Sequence, residues 1–339
     1  MAVKFGVFAD LHVDMFPEPE KRLQVFLDAC READVDFIIE LGDFCYPDDD
    51  RYCICKPEKL PVNVANALRE QAPVNKDLVN RLFSEFEKPG YHVLGNHDSD
   101  MCSKEEKLRY HGVSHGPYYS FDKGGFHFVV LDANYYMQDG KYISYNRGNY
   151  FDVSYDNPKP LPYLPPEELA WLREDLAKTA YPSVLFSHQR LIAGEPQSIR
   201  NAEELREVIR SAPHGVVMAL NGHEHLDCMA ESEGTWYFGV NSMSNCWLGT
   251  MFACPGRCGE EMDRLFPDIQ YTVPYTEALY AIVTMDENGA DIRGTKAEFV
   301  GPSPEELGCY TRSDSKFLTM LVHGPITAEI RDRYVKFRQ

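Results

Sequence analysis

Val3-Lys4-Phe5-Gly6-Val7-Phe8-Ala9-Asp10-Leu11-His12 starts with an apolar run and ends on two metal-ligating residue types. A short apolar run reads as a buried strand, so Val3–Ala9 is expected to be one, with Asp10-x-His12 at its C-terminal end. If strand geometry persists past Ala9, the side chains of Asp10 and His12 project to the same side. The same grammar recurs along the chain. Phe37–Leu41 runs into Gly42-Asp43, and Tyr91–Leu94 into Gly95-Asn96-His97-Asp98. Ser183–Phe186 delivers Ser187-His188, and Val216–Leu220 delivers Gly222-His223-Glu224-His225. Gly42, Gly95 and Gly222 precede ligand-type residues, where tight turns or close backbone approach are expected.

Helical patterns separate the first three strands. Lys21–Ala33 is one, and Asn75–Glu87 is another, with Leu78, Leu82 and Phe86 on one face. This β-α-β-α-β order predicts a mainly parallel arrangement with helices packed outside. Farther along, Tyr118–Phe121 and Phe126–Leu131 flank Asp122-Lys123-Gly124-Gly125, a hairpin signal. Pro166 opens an amphipathic helix carrying Leu169, Leu172 and Leu176. Asn201 and Glu204 form a capping-box pattern for the next helix. An antiparallel pair is expected around Glu233-Gly234, then strands near Leu279–Met285 and Ala290–Val300. Two facing sheets with helices outside fit this order. Residues 1–309 are expected to form one catalytic unit. The stretch 310–339 reads as an appended arm, with apolar Phe317, Leu318, Leu321 and Val322. The long segments 44–73, 134–165 and 241–275 lack periodicity, and long ordered loops of this kind are usually functional.

The chain has 339 residues and a formal net charge of −19. Such an acidic surface argues against non-specific binding to nucleic acid or to membrane phosphates. It leaves room for a phosphorylated small molecule, because bound dications reverse the local field. Met1-Ala2-Val3-Lys4-Phe5 shows no signal-peptide pattern, and no apolar run reaches spanning length. A cytoplasmic location is therefore expected, with the ten cysteines mostly reduced. Neither Cys53-Ile54-Cys55 nor Cys254-Pro255-Gly256-Arg257-Cys258 has a strong zinc spacing.

Together the five motifs offer two aspartates, one asparagine and four histidines as ligands, with His97 beside them. Carboxylates with imidazoles suit Mn, Fe or Zn better than Mg²⁺ or Ca²⁺, which prefer all-oxygen shells. Two divalent cations and a proton donor are best suited to attack of metal-bound hydroxide on phosphorus.

The ordered set D-x-H, G-D, G-N-H-D, S-H and G-H-x-H resembles the calcineurin-like metallophosphoesterases over roughly residues 1–240. The resemblance implies a four-layer α/β/β/α sandwich of two mixed sheets flanked by helices. It implies two divalent or mixed-valence transition-metal ions. Asp10, His12, Asp43 and His225 would bind the first. Asp43 would bridge to the second, joined by Asn96, His188 and His223. A water or hydroxide between the metals would be the nucleophile. His97 resembles the family's non-ligand histidine, which protonates the leaving group as general acid. Asp98 is expected to accept a hydrogen bond from His97 and hold it oriented.

The second motif continues as Phe44-Cys45-Tyr46. That departs from the G-D-x-V-D-R-G of the related protein serine/threonine phosphatases. Tyr46 does match the G-D-x-x-Y of purple acid phosphatases, yet those enzymes usually lack the histidine of D-x-H. His12 is the expected ligand here and Tyr46 a neighbour. Substrate contacts are expected from Asn96 and Arg190, and from Tyr135 and Trp247 on the aromatic loops. His111, His115 and His127 fit no ligand position and read as surface or hydrogen-bonded core residues. The expected reaction is hydrolysis of a small phosphodiester or phosphoanhydride. A phosphomonoesterase and a silent scaffold protein are the alternatives. No non-specific nucleic acid and no membrane partner are expected, and homo-oligomerisation stays open.

Overall fold

The computed structural model describes residues 2–13, 15–44, 76–100, 102–151, 162–195, 198–310 and 326–338. Asp14, Tyr46, Cys53, Cys55, Phe317, Leu318, Leu321 and Val322 lie outside the described residues. The amino-terminal half runs β1 (Val3–Phe8), α1 (Pro19–Glu32), β2 (Phe37–Glu40), α2 (Lys76–Ser84), β3 (Gly90–His92) and α3 (Lys104–Tyr110). The hairpin β4 (Tyr119–Lys123) and β5 (Phe126–Val130) follows, then a second hairpin, β6 (Tyr135–Gln138) with β7 (Lys141–Ser144). Next come α4 (Pro166–Lys178), β8 (Ser183–Ser187), α5 (Ala202–Arg210) and β9 (Val216–Asn221). The chain continues through β10 (Cys228–Ser232), β11 (Thr235–Gly239), β12 (Asn245–Trp247), α6 (Glu260–Leu265) and β13 (Thr272–Pro274). It ends with β14 (Ala281–Asp286), β15 (Gly289–Gly294) and β16 (Arg333–Lys336).

One sheet has the order β16-β15-β14-β1-β2-β3 and the other β10-β11-β9-β8-β5-β4. Strands β1, β2 and β3 pair in parallel, as do β5, β8, β9 and β11, while the outer strands pair antiparallel. Strand alternation sorts the side chains into layers. Phe5 and Val7 of β1 face Phe128, Phe186 and Leu220 of the other sheet in the central core. Phe8 and Ile38 face outward under α1 and α2, where they meet Phe26 and Phe83. Val129 and Leu185 face outward under α4 and α5. The result is the α/β/β/α sandwich, and burying each of these large side chains contributes about 1.5–3 kcal/mol. Among the described residues no helix is long and apolar enough to cross a membrane.

Three local expectations need correcting. The segment 134–165 contains the β6–β7 hairpin, turned by Asp139 (φ 50°) and Gly140 (φ 74°). Asn201 makes no side-chain cap on α5. Its amide holds Leu164 instead, donating to the Leu164 carbonyl (2.7 Å) and accepting its N–H (3.1 Å). The described end of the arm is an edge strand, with β16 pairing antiparallel to β15.

Candidate metal centre

The loops leaving β1, β2, β8 and β9, together with Asn96 after β3, meet at one edge of the sandwich. Parallel neighbours bring their C-terminal ends together, which is where open α/β sheets place their sites. Backbone bonds lock the first two loops: Asp10 N–H donates to Gly42 O (3.0 Å) and His12 N–H to Asp43 O (3.0 Å). Asp10, His12, Asp43, His223 and His225 all have left-handed φ, between 48° and 68°. L-residues rarely adopt that region, and clustered outliers of this kind mark functional sites. The glycines make room for them. A Cβ on Gly42 would lie 2.6 Å from His188 Nδ1, and one on Gly222 2.7 Å from Asp10 Oδ2. A Cβ on Gly95 would collide with Asp43.

Two sets of ligand atoms converge there. In the first, His225 Nε2 lies 3.3 Å from Asp10 Oδ1 and 3.3 Å from His12 Nε2. In the second, His188 Nε2 lies 3.2 Å from Asp43 Oδ2, 3.2 Å from His223 Nδ1 and 3.0 Å from Asn96 Oδ1. Asp43 Oδ2 is also 3.8 Å from His12 Nε2, so it stands between the sets. Imidazole nitrogens aimed at one another suit an ion held at about 2.0–2.2 Å from each. Two of the remaining ring nitrogens are tied to carbonyl oxygens, His225 Nδ1 to Asn245 O (2.8 Å) and His188 Nδ1 to Leu41 O (2.8 Å). Such bonds fix which nitrogen is left for a metal. The donor set therefore fits two transition-metal cations.

Electrostatics agree with that reading. Burial works against ionisation of Asp10 and Asp43, but the facing histidines hold both below the usual carboxylate range. Burial depresses His12 and His223 to about 3, leaving neutral imidazoles. His188 is opposed by burial too, yet Asp43 beside it raises it to about 9. A proton there occupies the place a cation would take.

His97 sits just outside this set, its ring 5.7 Å from that of His12. Its expected partner is wrong. His97 Nδ1 bonds Asp100 Oδ2 at 2.7 Å. His97–Ser99 is a turn of 3₁₀ helix, and in that geometry residues three apart eclipse. Asp98 instead turns inward and is buried. Its oxygens accept the N–H groups of Asp43 (3.0 Å), Phe44 (3.1 Å) and Gly95 (2.8 Å), and Lys107 Nζ lies 2.8 Å away. Asp98 is thus a brace for two ligand loops. Tyr150, from the loop after β7, was missed. Its hydroxyl donates to Asp100 and lies 3.5 Å from Asn96 Nδ2. Asp268 was missed as well; burial raises its carboxyl, and His97 is near enough to act against that.

The other expected substrate contacts are placed less directly. Arg190 is buried and pairs with Glu224 Oε1 at 3.3 Å, tying the His188 loop to the His223 loop. Tyr135 lies under Lys104, whose Nζ is 3.9 Å from the ring centroid. Trp247 packs with Met15, Phe16, Phe266 and Ile269, beside the first motif. His127 bridges Asp122 (2.6 Å) and Asp175 (2.9 Å), and His115 packs tilted against Tyr119, with ring centroids 3.8 Å apart.

A third group, Glu40, His92 and His111, also brings ligand-type atoms together. The His92 and His111 rings stack with centroids 3.9 Å apart and 18° between planes. Lone pairs of stacked rings run parallel, so they do not converge on one ion. Glu40 instead accepts the Gly42 N–H (2.7 Å) and lies 2.8 Å from His92 Nδ1, supporting the turn that carries Asp43.

A sequence profile of the calcineurin-like phosphoesterases matches residues 3–227. No curated protein sequence matches the chain. Among solved structures it is similar to a dimetal phosphatase from Danio rerio, at 16% identity over 89% of this chain and 99% of that one, TM-score 0.56. It also matches GAP50, the anchor in the inner membrane complex of Plasmodium, at 10% identity over 96% and 98% of the two chains, TM-score 0.47. A phosphopantetheinyl hydrolase from Mycobacterium tuberculosis matches at 13% identity over 80% and 95%, TM-score 0.39. At such identities the likeness is one of fold. The profile match, on the residues that build this site, carries the assignment: the chain belongs to the calcineurin-like phosphoesterase family.

Proposed function

We propose that this phosphoester hydrolase acts on a small phosphodiester or a phosphoanhydride. The observation that carries the reading is the pair of ligand sets with Asp43 standing between them and an aspartate-held histidine at their rim. Asp10, His12, Asp43 and His225 would hold one cation, and Asp43, Asn96, His188 and His223 the other. Bound there, Mn, Fe or Zn ions lower the pKa of a water and draw charge from the phosphoryl oxygens.

The chain's own residues do the rest. Asp43 and the strained loops fix the spacing of the two sets. His97, held through Nδ1 by Asp100, would hand a proton to the departing oxygen. An alkoxide is a poor leaving group, so a placed acid favours a diester. Trp247 and Tyr135 would line the approach, and Arg190 acts by joining two ligand loops. The acidic charge makes a polynucleotide or an anionic membrane an unfavourable partner, and a cytoplasmic setting suits the free cysteines among the described residues.

Metal-stripped protein reconstituted with Mn²⁺ should turn over bis-p-nitrophenyl phosphate faster than p-nitrophenyl phosphate. The rate on a phenyl phosphodiester, whose leaving group needs a proton, should fall in His97→Ala. Preference for the monoester would make the enzyme a phosphomonoesterase. No turnover of either with both ions bound would leave a scaffold protein.

A further inference from the structure

Segment 145–150 is stitched onto the turn that carries Asn96 and His97. Gly148 N–H donates to Ser99 O (2.9 Å) and Arg147 N–H to Cys102 O (3.2 Å). The Tyr150 ring stacks on buried Tyr145, centroids 4.4 Å apart and 17° between planes. The hydroxyl is therefore delivered by a backbone and a ring contact that owe nothing to Asp100 or Asn96.

That hydroxyl has one proton, and polar atoms of both Asp100 and Asn96 lie around it. Asp100 Oδ1 takes the proton, since a carboxylate is the stronger acceptor, although the Asn96 carbonyl also lies 3.3 Å away. The hydroxyl lone pairs are then left for Asn96 Nδ2, 3.5 Å away. A primary amide can turn over and exchange its oxygen for its NH₂. With Nδ2 drawn toward Tyr150, Oδ1 faces His188 Nε2 and the second ligand set. The flipped amide would aim N–H groups at a cation. On the other side, Asp100 has both oxygens occupied, Oδ1 by Tyr150 and Oδ2 by His97 Nδ1. Its carboxylate cannot rotate without breaking one of these bonds.

We propose that Tyr150 is a positioning residue whose single hydroxyl sets both the face Asn96 turns to the second cation and the carboxylate that holds His97. The proposal rests on the hydrolytic reading above. It makes Tyr150 the physical link between second-metal affinity and proton delivery to the leaving group.

Tyr150→Phe removes the hydroxyl and keeps the ring stack. Calorimetric titration of metal-stripped protein with Mn²⁺ should show the second ion bound about tenfold more weakly, with the first unchanged. Turnover of a phenyl phosphodiester, whose leaving group needs a proton, should fall about tenfold. The p-nitrophenyl diester, with a stable leaving anion, should change by less than about twofold. Asp100→Asn should reproduce the leaving-group effect and leave Mn²⁺ binding unchanged. Equal losses on both esters, or an unaltered second-ion affinity in Tyr150→Phe, would overturn the proposal. Wild-type protein that binds two ions and hydrolyses neither ester would remove the hydrolytic reading instead. The Mn²⁺ titration would still decide the hold on Asn96.

Discussion

Two buried clusters of carboxylate and imidazole lie side by side in this molecule, and Glu40 is three residues from Asp43. One is the pair of ligand sets around Asp43. The other is Glu40, His92 and His111. They share residue types and burial, with Glu40 at 1% exposure and Asp43 at 3%. They differ in backbone. Glu40 and His92 lie within β2 and β3, while Asp10, His12, Asp43, His223 and His225 lie past strand ends in left-handed conformations. Strand β3 and the end of helix α3 set His92 against His111 as nearly parallel plates; the strained loops turn lone pairs inward. Composition does not make the candidate metal centre. Orientation does, and the second cluster supports it by holding Gly42.

The comparison breaks most readily at Asp43. Asp43→Ala removes the side chain that stands between the two ligand sets. Turnover of the diester should drop to the uncatalysed background, and metal content should fall to one ion or fewer per chain. Full metal content in that variant would mean the two sets are not joined through Asp43.

Asp98 sharpens it next. Asp98→Ala leaves Lys107 buried without its carboxylate and frees three loop N–H groups. The expected cost is about 3–5 kcal/mol, read by denaturant unfolding. A stable variant with only the acid step impaired would restore Asp98 to the role sequence assigned it.

His92→Phe keeps a ring on His111 and takes the partner from Glu40. It should cost about 1–3 kcal/mol and leave turnover within a few-fold. Loss of a bound ion there would break the distinction between the clusters.

The smallest effect concerns His127, far from both clusters. Burial opposes its charge, but hydrogen bonds to Asp175 and Asp122 outweigh it and raise its pKa above 6.5. A raised folded-state value stabilises the fold fully below about pH 6.5 and is lost as pH rises through that value. Since Asp122 is largely exposed, the contribution should be under about 1 kcal/mol. Melting temperatures of wild type and His127→Gln should converge as pH rises from 6 to 9. Curves that stay parallel would show that the bridge carries no charge.

That the expected ligand residues gather in one place could be read from the chain because each follows a strand, so order along the sequence translates into one sheet edge. The α/β/β/α layering was legible for the same reason. The partner of His97 was not, because adjacency favoured Asp98 while the 3₁₀ turn brings Asp100 beneath the ring. An acidic residue three positions on was the available signal. Tyr150 gave none; its place depends on a loop docking across the sandwich. The β6–β7 hairpin did have a signal, Asp139-Gly140 between Tyr- and Ile-bearing runs, hidden by the tyrosine-rich composition around it. The pairing of Arg190 with Glu224 had no signal either, because the two meet only when the His188 and His223 loops come together.

Metal content per chain tells the two clusters apart by count. Metal-stripped wild-type protein and His92→Phe, each saturated with Mn²⁺ and cleared of free ion, should both retain two ions per chain by elemental analysis. One ion or none in the wild type would contradict the paired centre. Three in the wild type falling to two in His92→Phe would show that the stacked cluster binds metal after all.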